Sequence, residues 1–367
     1  MSAGSARAAR ADRVRAAMGE AGVDALLLSL GADLPWLTGY EAMPLERLTM
    51  LVLPADDRAV LVVPELEAPR VDADPEVFEV RPWAEGDDPV ALVAGMVGGR
   101  RRLAVSDRTW ATFVLGLQEA LPGREWLASS RVTGPLRAVK DDAEIEALAA
   151  VSAAADRVAA ALLGGEIALV GRTEREVSEE LGRRLVAEGH DRVNFAIVGS
   201  GLNAASPHHE PGSRRIGAGE AVVCDFGGTM AGYCSDITRT VCTGEPPAEF
   251  AELYALLQDA QASAVAAATV GTACEDVDRA ARDRIAGGGY GAAFIHRTGH
   301  GIGLEEHEDP YIAPGNREPL RPGHAFSVEP GIYLAGRFGA RIEDIVVATA
   351  GGPRPLNLAS HDLTVLG

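Results

Sequence analysis

Apolar positions recur with two periods along the 367 residues, and the alternation between them defines the elements. In residues 6–22 they return every three or four positions, as on one face of an amphipathic helix. A short continuous apolar run at 24–30 reads as a buried strand. Beyond a loop at 31–44, strands at 48–53 and 58–63 flank the turn signal Pro54-Ala-Asp-Asp57. A strand at 77–83, a helix at 87–97, a strand at 102–106 and a helix at 109–121 follow. Strands and helices alternating on this scale predict a three-layer α/β domain of about 130 residues, assigned to 1–135.

The first pattern ends within 132–140, and a different one fills 136–367. Asp141, with Glu144 three residues on, is a capping signature for an Ala-rich helix reaching about 163. Thr173 and Glu176 repeat the signature for a helix to about 188. A strand at 192–199 and two β-rich runs at 221–226 and 233–241 come next. Helices at 247–268 and 272–286, the latter opened by Thr272-Ala-Cys-Glu275, precede strand-like runs at 295–300, 324–334 and 339–348. The expectation is an α+β domain in which paired helices pack on a strongly curved antiparallel sheet.

The runs at 221–226 and 233–241 flank a Gly-rich connection, the pattern of a hairpin. A turn centred near Met230 and Ala231 sets Asp225 opposite Asp236, with Cβ atoms roughly 5 Å apart. Two carboxylates that close repel, and one must take up a proton unless a cation lies between them.

Composition narrows the function. Fifty-three acidic against 34 basic residues leave a net charge of −19, a surface that repels phosphate backbones and anionic membranes. No nucleic acid or membrane partner is expected. No run approaches the roughly 20 apolar residues of a membrane span, and the Arg-rich start lacks a signal-peptide core, so a cytoplasmic location is expected. Cys224, Cys234, Cys242 and Cys274 lack the spacing of a zinc site and read as buried reduced thiols.

Acids inside apolar strands carry the chemical signal. Asp225 follows Ala-Val-Val-Cys, Glu329 follows Ala325-Phe-Ser-Val, and Glu343 lies between Ile342 and Asp344-Ile-Val-Val. Burying each unpaired would cost several kcal/mol, and neither Asp225 nor Glu329 has a basic neighbour in sequence. Five of the eight histidines fall in two segments, His208 and His209 before the hairpin and His296, His300 and His307 in a Gly-rich run. Neutral imidazole is the commonest metal ligand. His209 and His296 also read as supporting or solvent groups, and Glu210, Glu305, Glu306 and Glu308 as a solvated rim. Arg341, one alternation from Glu343, reads as orienting that carboxylate or holding a substrate carboxylate.

Val223-Cys-Asp-Phe-Gly-Gly, Tyr233-Cys-Ser-Asp-Ile-Thr-Arg-Thr, His296-Arg-Thr-Gly-His-Gly-Ile-Gly-Leu, Phe326-Ser-Val-Glu-Pro-Gly-Ile-Tyr and Arg341-Ile-Glu-Asp resemble, in order and spacing, the signature of the pita-bread metallopeptidases. The likeness runs from about residue 130 to the C-terminus. The preceding part resembles the creatinase-like domain of the proline-specific branch. It implies an α/β N-terminal creatinase-like domain followed by an α+β pita-bread catalytic domain. It also implies a two-metal site held by Asp225, Asp236, His300, Glu329 and Glu343, with Asp236 and Glu343 bridging. An oxygen-rich shell with one imidazole suits Mn or Co and tolerates Zn or Fe.

In such enzymes a water activated between the ions attacks the scissile carbonyl. Glu329 would carry its proton to the leaving amine, while His208 and His307 contact substrate and stabilise the oxyanion. The expected substrate is a small peptide with proline second, cleaved by an Xaa-Pro dipeptidase or, alternatively, an Xaa-Pro aminopeptidase acting on longer peptides. A metal-dependent lyase of the same fold and an inactive interaction module are the other readings. A dipeptidase must hold a free carboxylate; relatives that use an arginine shortly after the position of His307 have Asp309-Pro-Tyr311 there in this chain, with Arg317 and Arg337 as alternatives. Relatives associate, so a homodimer is expected. Trp36 and Tyr40 read as exposed aromatic candidates for contacting the residue before proline, or as core or interface positions.

Overall fold

The structure is a computed structural model that describes residues 3–366. It forms two compact units, Met1–Arg137 and Ala138–Gly367. The first is built on a six-stranded mixed sheet of β1 (Ala25–Leu28), β2 (Met50–Pro54), β3 (Ala59–Pro64), β4 (Phe78–Trp83), β5 (Arg102–Val105) and β6 (Glu125–Ala128), in the order β4-β3-β2-β1-β5-β6. Every residue of β1 and β2 is buried, as expected for central strands covered on both faces. The helices are α1 (Ala3–Ala21), α2 (Asp33–Thr38), α3 (Pro89–Val97), α4 (Ala111–Ala120) and α5 (Ser130–Ala138).

Two segments differ from the sequence expectation. The loop at 31–44 contains α2, and Trp36 and Tyr40 are buried at 2% and 5% exposure; both are core residues, not exposed contacts. β6 and α5 occupy the stretch where the periodic pattern runs out. The strand is only four residues long and half-exposed, and Pro135 lies inside the helix, so neither period is legible there.

In the second unit, α6 (Asp142–Leu163) and α7 (Glu174–Ala187) both open with reciprocal capping boxes, Asp141 with Glu144 and Thr173 with Glu176. One sheet holds β7 (Arg192–Ser200), β8 (Ala221–Met230), β9 (Tyr233–Cys234) and β10 (Ile237–Thr243), closed by a C-terminal strand on β10. Then come α8 (Ala248–Ala267) and α9 (Cys274–Gly287). A second sheet holds β11 (Gly299–Gly301), β12 (Glu308–Ile312), β13 (Ala325–Val328), β16 (Asp344–Thr349) and β17 (Gly352–Pro355), while β14 (Gly331–Leu334) and β15 (Phe338–Arg341) pair as a ribbon. β18 (Thr364–Leu366) is the closing strand, parallel to β10. The bridge between Thr238 and Glu343 links the sheets. No helix among the described residues is long and apolar enough to cross a membrane.

The third expected capping box does not form. α9 begins at Cys274, and the N–H groups of Cys274 and Glu275 donate to the carbonyls of Glu318 and Asn316. Those partners satisfy donors that a cap would otherwise serve, and Thr272 pairs with Thr269 instead. All four cysteines are buried and free.

His324, buried just before β13, accepts a hydrogen bond at Nδ1 from the Arg321 N–H. Burial, then Lys140 and Arg321, press its pKa down to about 4. The unfolded chain takes up this proton near pH 6.5. The folded state therefore loses stability as pH falls from about 6.5 to about 4, by up to about 3 kcal/mol. His324→Asn should flatten the acid limb of a plot of urea midpoint against pH across that window; an unchanged slope would refute it.

Candidate active site

β8 is buried for all but its last residue and carries Asp225 between Cys224 and Phe226. A two-residue turn at Ala231 and Gly232, both at positive φ (49° and 86°), closes the hairpin and pairs Thr229 with Cys234. The turn is centred one residue further on than expected. Asp225 consequently faces Thr238, and Asp236 lies two residues nearer the turn. The expected direct pairing of the two acids is thus corrected to a diagonal one. Because side chains alternate with period two, both carboxylates still leave one face. Beside Asp236 the chain crosses Gly227 so closely that a Cβ there would lie 2.1 Å from the Ser235 carbonyl oxygen; glycine alone fits.

The other acids sit at breaks in expected strands. The run at 324–334 stops at Glu329, where Pro330 lacks the N–H to continue a ladder, and splits into β13 and β14. The run at 339–348 splits around Ile342 and Glu343 into β15 and β16. A residue at such a break aims its side chain free of the regular pleat. Glu329 is held by its own N–H on the Thr298 carbonyl (2.7 Å) and by the Ser327 hydroxyl on Oε1 (3.1 Å). Ser327 Oγ also accepts from the His300 N–H at 3.0 Å, tying β11 to β13. Glu343 Oε2 accepts from Thr238 Oγ1 at 2.6 Å.

His300 completes the group from β11. Its Nε2 lies 3.2 Å from Glu329 Oε1 and 3.6 Å from Asp236 Oδ2, while Nδ1 is 3.1 Å from the Gly301 carbonyl oxygen. With an ion bound, a proton on Nδ1, held by that carbonyl, would leave the Nε2 lone pair for it. Ligand atoms of Asp236, His300 and Glu343, all buried, lie within 4.8 Å of one another.

Without a cation the cluster is electrostatically unbalanced. Burial pushes the Asp236 and Glu343 carboxyls well above their ordinary values, and the neighbouring acids push them further. Burial raises Asp225 too, against the pull of Arg341. Glu329 is the exception: burial opposes its charge, but the His300 hydrogen bond and the charges of His300, His296 and Arg341 outweigh it and bring it down to about 2. Asp225 Oδ1 is buried with no hydrogen-bond partner. Surplus acid, an orphaned oxygen and converging donors are what divalent cations resolve, so the residues present fit such a centre.

All five expected ligands line one cleft of about 540 Å³, together with His208, His307 and Arg341. His307 is exposed and sets its ring edge-on to His300, centroids 4.1 Å apart. Desolvation, then His300 and Arg297, lower its pKa to about 4. Arg341 makes no direct hydrogen bond to Glu343 and reaches it only through Thr238, whose Oγ1 accepts from Arg341 Nε and donates to Glu343 Oε2. At 2% exposure its guanidinium is engaged by Asp225 Oδ2, Thr238 Oγ1, Tyr333 Oη and the Pro207 carbonyl, which leaves it supporting Asp225 and does not favour a substrate contact. Glu308 is not part of a solvated rim: it is buried in an ion pair with Lys140, the chain's only lysine. His296 bonds the Tyr333 hydroxyl at 2.9 Å and also lines the cleft.

Phe195, Ile197 and Arg297 also line the cleft. Phe195 and Ile197 carry no sequence signal, since they sit in an apolar strand run, and on β7 they are half-buried. Arg297 directly follows His296 in the histidine motif, and that position is the one signal that points to it.

Over residues 145–350 the chain matches the model of metallopeptidase family M24, and over 10–139 that of the creatinase/prolidase N-terminal domain. It is 46% identical over 356 residues to a probable dipeptidase PepE of Mycobacterium bovis, across 96% of this chain and 94% of the relative. Among solved structures, dipeptidase PepE from Mycobacterium ulcerans superposes with a TM-score of 0.93 at 44% identity, covering 99% of each chain. An Xaa-Pro dipeptidase from Bacillus anthracis gives 0.90 at 32% identity, covering 98% of this chain and all of that one. The second unit thus has the pita-bread fold behind a creatinase-type domain, and the chain belongs to metallopeptidase family M24.

Proposed function

We propose that this metallopeptidase is an Xaa-Pro dipeptidase working with two divalent ions, Mn or Co before Zn or Fe. The observation that carries the reading is the convergence of Asp225, Asp236, His300, Glu329 and Glu343 with His208 and His307 on a single cleft. The ions would supply a water acidified to neutral pKa and polarisation of the scissile carbonyl. The chain supplies the rest. Asp225, Asp236, His300, Glu329 and Glu343 would hold the ions, and Arg341 fixes Asp225. Glu329 has Oε1 engaged by Ser327, leaving Oε2 to accept the proton of the attacking water and return it to the leaving nitrogen. His208 and His307 would donate to the oxyanion and orient the peptide. Phe195 and Ile197 offer an apolar wall for a pyrrolidine ring.

Arg297 favours the dipeptide over the longer substrate. Arg317 pairs with Glu275 and Arg337 with Glu249, and neither lines the cleft. Arg297 does, with its guanidinium 4.5 Å over the Tyr311 ring and no carboxylate partner among the described residues. A planar fork set over an aromatic ring suits a free carboxylate.

With Mn²⁺ added, Ala-Pro should be hydrolysed and Ala-Ala and Ala-Pro-Ala should be poor substrates. Equal turnover of Ala-Pro-Ala would replace this reading with the aminopeptidase one. Arg297→Met should raise KM for Ala-Pro by about tenfold to a hundredfold, the range of a charged hydrogen bond, and leave Ala-Pro amide unaffected.

A further inference from the structure

The segment that carries His208 over the cleft has little structure of its own. Its first part is seated: Ala204 is buried, and its carbonyl oxygen lies where a Cβ on Gly339 would come within 2.2 Å. At Gly212 the chain is again tied down, by the Arg175 N–H. From residue 206 to 211 it belongs to no helix or strand, and its residues alternate between exposed and half-buried.

Glu174 lies beneath this segment, fully buried at the first position of α7. It does not cap that helix, because Thr173 and Glu176 already do. Its carboxylate instead points away from the helix. Oε1 accepts from the Ser200 N–H (2.9 Å), the Ser200 hydroxyl (2.7 Å) and Asn203 Nδ2 (3.0 Å). Oε2 accepts from Asn203 Nδ2 (3.1 Å) and from His209 Nε2 (2.8 Å). A buried carboxylate is tolerated only with such a full set of donors, and here every donor belongs to the end of β7 or to the stretch leading through His208. On the other side, Arg341 Nη1 donates to the Pro207 carbonyl at 3.3 Å. The residues flanking His208 are therefore gripped from both sides, Pro207 from the cleft and His209 from the core.

We propose that Glu174 and His209 form a latch that fixes the 206–210 segment and so holds His208 at the cleft. Both are positioning residues for the hydrolysis proposed above, on which the kinetic half of this inference rests. Side chains held in this way matter because a displacement of about 1 Å at a catalytic contact can cost about a hundredfold in rate.

The test uses the full-length, metal-loaded protein and the variants His209→Ala, Glu174→Gln, His208→Ala and His208→Ala/His209→Ala. Amide hydrogen exchange reads the latch directly. Exchange across 206–210 should quicken at least about tenfold in His209→Ala, while the interior of α7 stays protected. Unchanged exchange there overturns the latch regardless of activity. Kinetics read its purpose. His209→Ala should lower kcat on Ala-Pro about tenfold with bound metal unchanged, and adding it to His208→Ala should cost nothing more. A full additional loss in the double variant overturns the claim that the latch acts through His208. Faster exchange combined with a wild-type rate for His208→Ala would keep the latch and discard the catalytic role of His208. Glu174→Gln guards against misfolding artefacts, since it preserves shape and one acceptor oxygen and should give a smaller change of the same kind.

Discussion

Asp236→Ala and Glu343→Ala should each abolish hydrolysis, by at least about a thousandfold, and reduce bound metal from about two ions per chain to one or none. Lewis-acid stabilisation by a metal centre amounts to several kcal/mol, and each 1.36 kcal/mol is a factor of about ten in rate. Both residues belong to the converging group with His300, so on the reading proposed above losing either removes a ligand from the donor set. Stability provides an independent sign. In the ion-free protein, Asp236 and Glu343 are forced by burial and by neighbouring acids toward the neutral form. Truncating one should leave the chelated protein as stable as wild type or more so. The ions should then fail to add their own stabilisation, which for a site filled at a hundred times Kd is about 2.7 kcal/mol. Elemental analysis and paired melting curves with and without Mn²⁺ separate these effects. A Glu343→Ala protein that retains two ions and turns over normally would end the two-ion reading.

The acids that matter are legible in the sequence because each violates its local pattern. Asp225 and Glu329 stand in runs whose neighbours are apolar, and Glu343 lies between Ile342 and the acid that opens the run Asp344-Ile-Val-Val; such violations are hard to explain by surface chance. Their mutual geometry is less accessible. Register depends on where a turn closes, and a shift of one residue in the turn centre moves the partner of Asp225 from Asp236 to Thr238. The continuous apolar runs also conceal the interruptions that aim Glu329 and Glu343, although Pro330 marks one of them. Contacts distant in sequence leave no local trace at all. Arg341 meets Asp225, Glu174 meets His209, and Lys140 meets Glu308, at separations of 116, 35 and 168 residues. Arg341 reads as a partner of Glu343 because a same-strand neighbour is the only partner a sequence displays. Glu308 reads as rim for the opposite reason: acidic neighbours at Glu305 and Glu306 make a charged, solvated run look self-explanatory. Helix boundaries follow local chemistry where a side-chain cap decides them, at Asp141 and Thr173. They depart from it at Cys274, where another part of the chain supplies the acceptors.

His307→Ala should have the second-largest effect, and of a different kind. His307, exposed, packs edge-on against the ring of His300. Its imidazole lines the cleft, and on the reading proposed above it faces the substrate without being needed to hold the ions. Truncation should leave metal content and melting temperature near wild type, and lower kcat on Ala-Pro by about 10²–10³-fold, the usual cost of deleting one donor to an oxyanion. KM should move little, because that contact strengthens as the carbonyl becomes tetrahedral. His307→Gln, which keeps an N–H donor on a flexible stem, should recover part of the loss, whereas His300→Ala should lose metal along with rate. Two results would each remove His307 from the oxyanion role: a variant that turns over like wild type, or one that sheds its ions as His300→Ala does. The first would leave His208 as the sole candidate donor, and the second would make His307 a support for its neighbouring ligand.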